Sequence, residues 1–344
     1  MTTAPRPTMA DVAAAAGVSR ALVSIVIRGA AGASASTRAH VLEVAQQLGY
    51  RPDTRARLLR SSRTRLLGVV FNVTEPFHAE LVELLYAAGE ALGYALTLSA
   101  TGSRRGEQTA MESLLDLGVE AIIVIAPTTP AEKLAGAPVP IVAMLDSPSG
   151  PGAQAVSSVR TDEAAGIRLA IDHLRRLGHR HIAHIDGGTA VGSAARRQAY
   201  EQAMAEAGES PRIFDGGPLE YDGSRAAGKL LAARDAPVGT GPAAGAPTAV
   251  VVFNDRSALG ALDTFRTAGV DVPVHMSVVG YDNSRMARLE HINLTSIGQD
   301  GPALAAAAVA AAAGRIGGGP VGDTVIAPWL ELGGTTAAPI PPGS

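Results

Sequence analysis

The sequence predicts a two-part α/β protein: an N-terminal all-α head carrying a helix-turn-helix, and behind it a body of two doubly wound α/β lobes. Three observations predict it. The first fifty residues carry three short helical patterns, each opened by a capping residue. Residues 1–65 hold ten arginines, no lysine and three acids, a balance of +7, while the rest of the 344-residue chain carries −10 and the whole −3. From Leu66 onward, short apolar runs alternate with helical patterns, the alternation of parallel-sheet proteins. The expected divisions are residues 1–50 for the head, 51–65 for a short helix and linker, 66–332 for the body and 333–344 for a flexible tail.

In the head, Thr8-Met-Ala-Asp11 forms a capping box: Thr8 accepts from a first-turn amide, and Asp11 reaches back while suiting the helix dipole. The first helix then runs to Ala16 and stops at Gly17, a residue at ease in the left-handed conformation of a C-terminal cap. Two residues on, Ser19 caps a second helix from Arg20 to Ile27, which completes the helix-turn-helix arrangement. Val12, Ala16, Val18, Val23 and Val26 are spaced to form the seam between the two. Ser34 opens a third helix, with Val41, Leu42, Ala45 and Leu48 on its expected buried side and Gly49 at its end. A solvated basic arm would explain the charge alone. Three helices with a balance of +7 point instead to duplex DNA.

Residues 51–60 place Pro52 where a first helical turn loses no needed donor. Arg55, Arg57 and Arg60 stand beside Leu58 and Leu59, an awkward composition for a core helix and a sensible one beside phosphates. A helix so short is marginal on its own.

In the body, residues 66–71, 95–99, 121–125, 141–145, 182–185, 249–253 and 277–281 read as buried parallel strands. Helical patterns cover residues 79–92, 107–117, 164–177, 196–207, 224–233 and 256–268. Open sheets of this kind bind ligands at the carboxyl ends of their strands, so the cleft between the lobes is the expected site. Asn72, Asp162, Arg196, Asn254 and Asp282 stand just past expected strand ends. Carboxylate, amide and guanidinium groups converging there suit a compound rich in hydroxyls, such as a sugar or nucleoside. Capping of loops and helix ends is the competing role, and it is the favoured one for Asn72 and Asp255. Residues 237–248 are rich in Gly, Pro and Ala and read as a surface insertion.

The chain has no cysteine, which excludes disulfides, thiolate metal sites and a cysteine nucleophile. No apolar run is long enough to span a bilayer, and residues 1–9 lack the apolar stretch of a secretory signal, so a soluble cytoplasmic protein with no membrane partner is expected. His173, His179, His181 and His184 invite a metal reading, but alternation along residues 181–185 points them to different faces. Gly314-Arg-Ile-Gly-Gly-Gly319 lacks the Lys-Ser/Thr of a phosphate loop, and Ser193 lies in no nucleophile elbow. No catalytic constellation, metal site or cofactor motif emerges, and an enzyme is not expected.

Thr8-Met-Ala-Asp-Val-Ala13, Ala16-Gly-Val-Ser19, Thr37-Arg38, Leu48-Gly-Tyr-Arg-Pro52, Ala56-Arg-Leu-Leu-Arg-Ser61 and Leu67-Gly-Val-Val70 follow one another in an order that resembles the LacI/GalR transcriptional regulators. The resemblance implies a body related in fold to periplasmic sugar-binding proteins, with the chain crossing between lobes near Gly166, Gln299 and Val325. It implies a homodimeric repressor that binds a near-palindromic operator and answers to a small molecule. It places Ser19, Arg20 and Ala21 at the start of the recognition helix, where an arginine can pair bidentately with guanine, and Ser24 at a DNA-backbone contact. Two positions depart from the family pattern: Ile25 stands where an arginine is usual, and Arg28 where an asparagine is usual. Ile25 either touches a thymine methyl or simply packs. Residues 51–60 resemble the family's hinge helix, with Leu59 at the leucine that wedges into the minor groove. In the body, the resemblance assigns ligand contacts to Phe77, His78, Asp162, Arg196, Asn254, Asp282 and Gln299. Pro218 stands where an aromatic is frequent, which leaves Phe77, Tyr221, Phe253 or Trp329 to stack on the ligand. A transport-type sugar-binding protein of the same two-lobed fold is the alternative, and the basic head speaks against it.

Overall fold

The computed structural model describes residues 7–27, 29–50, 63–234 and 245–340. The chain divides into two compact units, residues 1–64 and 65–344. Arg28, Arg55, Arg57, Leu59 and Arg60 lie outside the described residues, as does the insertion over 235–244.

The first unit holds α1 (Met9–Ala16), α2 (Arg20–Ile27) and α3 (Ala35–Gln47). The capping box is formed: the Thr8 amide donates to the Asp11 carboxylate at 2.7 Å, and Gly17 ends α1 at φ +64°. Ser19 caps α2 by accepting from the Leu22 amide at 3.1 Å, and Ser34 caps α3 by accepting from Thr37. Val12, Ala16, Val23 and Val26 form the seam with Val41, Val44 and Ala45 of α3, and Val18 packs at its edge. Leu42 and Leu48, expected inside, are 47% and 38% exposed. Val44 takes the inward place because positions 41, 44 and 45 share one stripe at 3.6 residues per turn, and 42 is rotated off it.

The second unit folds as two lobes. Lobe 1 contains β1 (Leu66–Asn72), α4 (Pro76–Ala91), β2 (Ala95–Thr101), α5 (Glu107–Leu115), β3 (Ala121–Ile125), α6 (Ala131–Ala135), β4 (Ile141–Met144) and β5 (Ser157–Thr161). The chain then enters lobe 2 through α7 (Glu163–Arg176), β6 (Ile182–Ile185), α8 (Ser193–Glu206), β7 (Ile213–Phe214), α9 (Glu220–Arg234), β8 (Ala249–Val252), α10 (Asp255–Thr267), β9 (Ser277–Asp282) and β10 (Thr295–Gly298). It returns to lobe 1 for α11 (Gly301–Ile316) and β11 (Asp323–Ile326), and ends in lobe 2 with β12 (Trp329–Glu331). The sheet orders are β11-β5-β4-β3-β1-β2 and β12-β10-β9-β8-β6-β7, parallel throughout except where β12 runs antiparallel to β10.

Alternation along the strands builds two cores in each lobe. Leu67, Val69, Ile123 and Ile125 face α4 and α11, while Val70, Ile122 and Val124 face α5 and α6. In lobe 2, Val251, Val279 and Tyr281 pack under α7 and α8, and Val250, Val252 and Val278 under α9 and α10. Each fully buried aliphatic or aromatic side chain contributes about 1.5–3 kcal/mol of transfer free energy, which is why runs apolar on both faces end up here.

The three crossovers are tied together. The Asp162 amide donates to the Ile326 carbonyl at 3.0 Å, and the Thr161 hydroxyl donates to the Gln299 side chain at 2.6 Å. The expected loose tail is corrected for residues 333–340. Thr335 is buried, its hydroxyl donates to the Val278 carbonyl, Thr336 meets His173, and Ala337 is bonded to Ser277 and His179. This segment straps lobe 2 through partners some forty to 160 positions away in sequence, which local composition does not reveal.

Candidate functional site

Between the two lobes of the second unit lies a cavity of about 370 Å³, within the usual size of small-molecule sites. Its walls are the carboxyl ends of strands from both sheets and the loops that follow them. Ala126, Leu145 and Asp282 line it with left-handed backbones, φ +51°, +70° and +108°. For a leucine or an alanine this conformation is costly. Sheet hydrogen bonds enforce it, the Ala126 amide donating to Met144 and the Leu145 amide to Val159.

Arg196 is the anchor of the lobe 2 wall. Its Nε donates to Glu163 Oε2 at 2.6 Å and its Nη2 to Oε1 at 3.3 Å, while Nη1 bonds the Phe253 carbonyl. The guanidinium carbon lies 3.6 Å from the Tyr281 ring centroid and 4.8 Å from that of Phe253. Burial is the largest single influence and opposes the charge, but Glu163, by charge and hydrogen bond, together with Tyr281 and Asp282 outweighs it and holds Arg196 firmly protonated. Gly166 makes this packing possible, since a Cβ there would come within 2.6 Å of the Tyr281 hydroxyl.

Asp282 also lines the cavity, and burial, aided by repulsion from Asp255, pushes its carboxyl well above the usual range while Arg196 and Gln299 pull the other way. Gln299 joins the lobes: its Nε2 donates to Asp282 at 2.8 Å, and its Oε1 accepts from Thr161. On the lobe 1 wall, His78 is buried and its Nδ1 accepts from the Asn72 amide at 3.2 Å. Burial pushes its pKa down to about 4, so near neutrality the ring is uncharged and its proton sits on Nε2.

Seven of the eight expected ligand residues line this cavity: Asn72, Phe77, His78, Arg196, Asn254, Asp282 and Gln299. Asn72 and Asn254 also carry local duties, Asn72 accepting from Thr74 and Asn254 capping α10 by accepting from the Ser257 amide. The eighth is a correction. Asp162 lies outside the cavity lining and caps α7, accepting from Ala165 at 2.9 Å. Its neighbour Glu163 is the residue that reaches Arg196. Asp255 is buried and consumed by the Ser284 amide and the Ser296 hydroxyl. Of the aromatic candidates, Phe77 and Phe253 line the cavity, Tyr221 is exposed, and Trp329 packs on Gly298.

Sequence reasoning missed Glu75, Arg105, Glu107 and Thr128 on the lobe 1 rim. Arg105 donates to Ser99 and Ser113, and Glu107 accepts from the Thr128 and Thr129 amides. The rule that polar residues follow strand ends could have found Thr101 and Thr128; nothing local marks Arg105. The histidines serve separate partners: His179 bonds Thr248 and Ala337, and His184 bonds the Val251 carbonyl and stacks on Tyr200.

In the first unit, Ser19, Arg20 and Ala21 are exposed at the start of α2, and Ser24 and Ile25 are half-buried. Ile25 lies against the loop after α2, its Cδ1 and Cγ2 each 3.7 Å from where a Cβ on Gly32 would stand. Arg38 turns inward from α3, donating to the Val26 carbonyl at 3.3 Å and the Ala30 carbonyl at 2.7 Å. It thereby holds the C-terminal end of α2, where a cation also suits the helix dipole.

A basic trihelical unit and a two-lobed unit with an interlobe cavity match two family models in the same order. The bacterial regulatory proteins of the lacI family match over residues 8–53, and the periplasmic binding protein-like domain over residues 171–336. The HTH-type transcriptional regulator DegA of Bacillus subtilis is 32% identical over 308 residues, covering 86% of this chain and 87% of its own. The chain belongs to the lacI family. A crystal structure of a LacI transcriptional regulator from a Rhodococcus species is 41% identical, covers 80% of this chain and all of its own, and superposes with a TM-score of 0.74. The Lac repressor dimer bound to operator and the anti-inducer ONPF is 27% identical over 97% of this chain and all of its own, with a TM-score of 0.82. This lacI-family protein is a DNA-binding transcriptional regulator and not an enzyme. Among the described residues no single helix is long and apolar enough to cross a membrane.

Proposed function

We propose that this regulator is a cytoplasmic repressor of carbohydrate-use genes that binds a near-palindromic operator as a homodimer and is controlled by a small hydroxyl-rich molecule, a sugar or nucleoside, held between its lobes. The observation that carries the ligand reading is the cavity with Arg196 locked by Glu163, Asp282 held by Gln299 and neutral His78 opposite. Asp282 would accept from ligand hydroxyls, and the His78 Nε2–H would donate to a ligand oxygen. The operator-bound dimer of the Lac repressor supports the two-fold arrangement on DNA.

In this reading Ser19, Arg20, Ala21 and Ser24 meet DNA from α2, with Arg20 as the base reader. Ile25, which packs on Gly32, is a brace for the following loop, although it is only half-buried. Residues 51–65 act as the hinge, Leu59 as the minor-groove wedge, and Arg28, Arg55, Arg57 and Arg60 as DNA contacts, all on the family resemblance. A ligand that prefers one lobe arrangement shifts the population of the two and so alters operator affinity.

A thermal-shift screen of sugars, sugar phosphates and nucleosides tests the cleft. A ligand at a hundred times its dissociation constant adds about 2.7 kcal/mol to stability. A member of these classes should raise the melting temperature, and the rise should vanish in Arg196→Ala. A rise that survives Arg196→Ala places the ligand elsewhere.

A further inference from the structure

The lobes are fastened to one another at a second place, away from the crossovers. Arg256, near the start of α10 in lobe 2, donates from Nη1 to the Thr74 carbonyl at 2.7 Å and to Glu75 Oε1 at 3.2 Å, both in lobe 1. Its Nε donates to Glu220 of its own lobe at 2.8 Å. The side chains of Arg256 and Glu75 are only 20% and 17% exposed. Along the same seam the Arg285 amide donates to Glu80 at 2.9 Å, the Arg285 guanidinium meets Glu83, and Arg288 stands 3.7 Å from Glu80. Among the described ion pairs that cross the seam, every cation belongs to lobe 2 and every anion to lobe 1.

Its position gives the seam leverage. The crossovers leave from β5, β11 and β10 on one side of the two sheets, whereas α4 follows β1, three strands from β5 in the sheet. At about 4.8 Å per strand, that is about 14 Å from the crossover side. The residues it grips also precede Phe77 and His78, and Glu75 itself lines the cavity.

We propose that Arg256 is a positioning residue of the cleft: it latches lobe 2 onto the residues that open α4 and thereby holds the lobes in the closed arrangement. Arg285 and Arg288 extend the latch along the first turns of α4. The inference concerns lobe closure and stands whether or not the cleft takes the compounds proposed above.

The chain lacks cysteine, so two can be introduced and labelled without background. Ser103→Cys and Thr189→Cys place spin labels at exposed positions after β2 and β6, on the side of the sheets away from the crossovers. Double electron–electron resonance on the ligand-free full chain, diluted with unlabelled protein, then reads the interlobe distance. Arg256→Gln should lengthen the modal distance, and Glu75→Gln should lengthen it less, because the Thr74 carbonyl still accepts from Arg256. Glu220→Gln removes only the partner within lobe 2 and should leave the distance unchanged. A wild-type distance in both Arg256→Gln and Glu75→Gln overturns the latch. Equal lengthening in Glu220→Gln overturns it too, since that would be a general loosening.

Discussion

At position 78 a histidine ring that lines the cavity is kept neutral by burial, with its proton on Nε2. That assignment follows from the Asn72 amide, which donates to Nδ1 and so leaves the proton on Nε2. The linkage has a definite sign. The folded pKa, about 4, lies below the ordinary 6.5, so the folded chain binds fewer protons than the unfolded chain between those values. The stability tied to His78 is therefore complete above pH 6.5 and is lost as the pH falls toward 4. Asp255 works in the opposite direction, because burial raises its carboxyl to about 6 and the folded chain takes up that proton first. Bulk stability mixes the two, so the check must be site-resolved. Nitrogen-15 NMR at about pH 5.5 should show His78 still as the neutral Nε2–H tautomer. A doubly protonated ring at that pH would mean that its wall of the cleft is solvated.

At the scale of elements, the head was legible because its signals are local. Thr8, Gly17, Ser19 and Ser34 announce helix ends by chemistry that acts over three or four residues. Seven strands of the body were legible as short apolar runs. Strand β5, Ser-Ser-Val-Arg-Thr, was not, because its burial comes from neighbouring strands and its Ser158 hydroxyl is satisfied by Asp323 on β11. The candidate site was legible where topology dictates it, at strand ends, and illegible where one residue of helix phase decides. Asp162 turns back to cap α7 while Glu163, one position on, reaches Arg196. Arg38 belongs to the same lesson. The sequence counts it among ten cations, yet the fold uses it to hold the end of α2. Arg38→Gln should lower the stability of the head by about 1–2 kcal/mol for two lost hydrogen bonds. Amide hydrogen exchange would show faster opening of α2; unchanged exchange would leave Arg38 a solvated surface charge.

Across the whole molecule labour is divided: a basic head serves DNA binding and an acidic two-lobed body serves metabolite sensing. The division is written in the charge, +7 over residues 1–65 against −10 beyond them. Attraction to a polyanion is thus confined to one end, and the body disfavours nonspecific contact. Binding of this kind releases counterions, and a protein that neutralises six to ten phosphates loses about 10³- to 10⁵-fold in affinity between 50 and 200 mM salt. The most direct measurement is fluorescence-anisotropy titration of the full chain with promoter fragments from its own genomic neighbourhood, across that salt range. Binding should be tight to a fragment with a two-fold symmetric site, and affinity should fall steeply and linearly on a log–log plot as salt rises. Affinity that stays flat with salt, or no binding to any such fragment in dilute buffer, would contradict it.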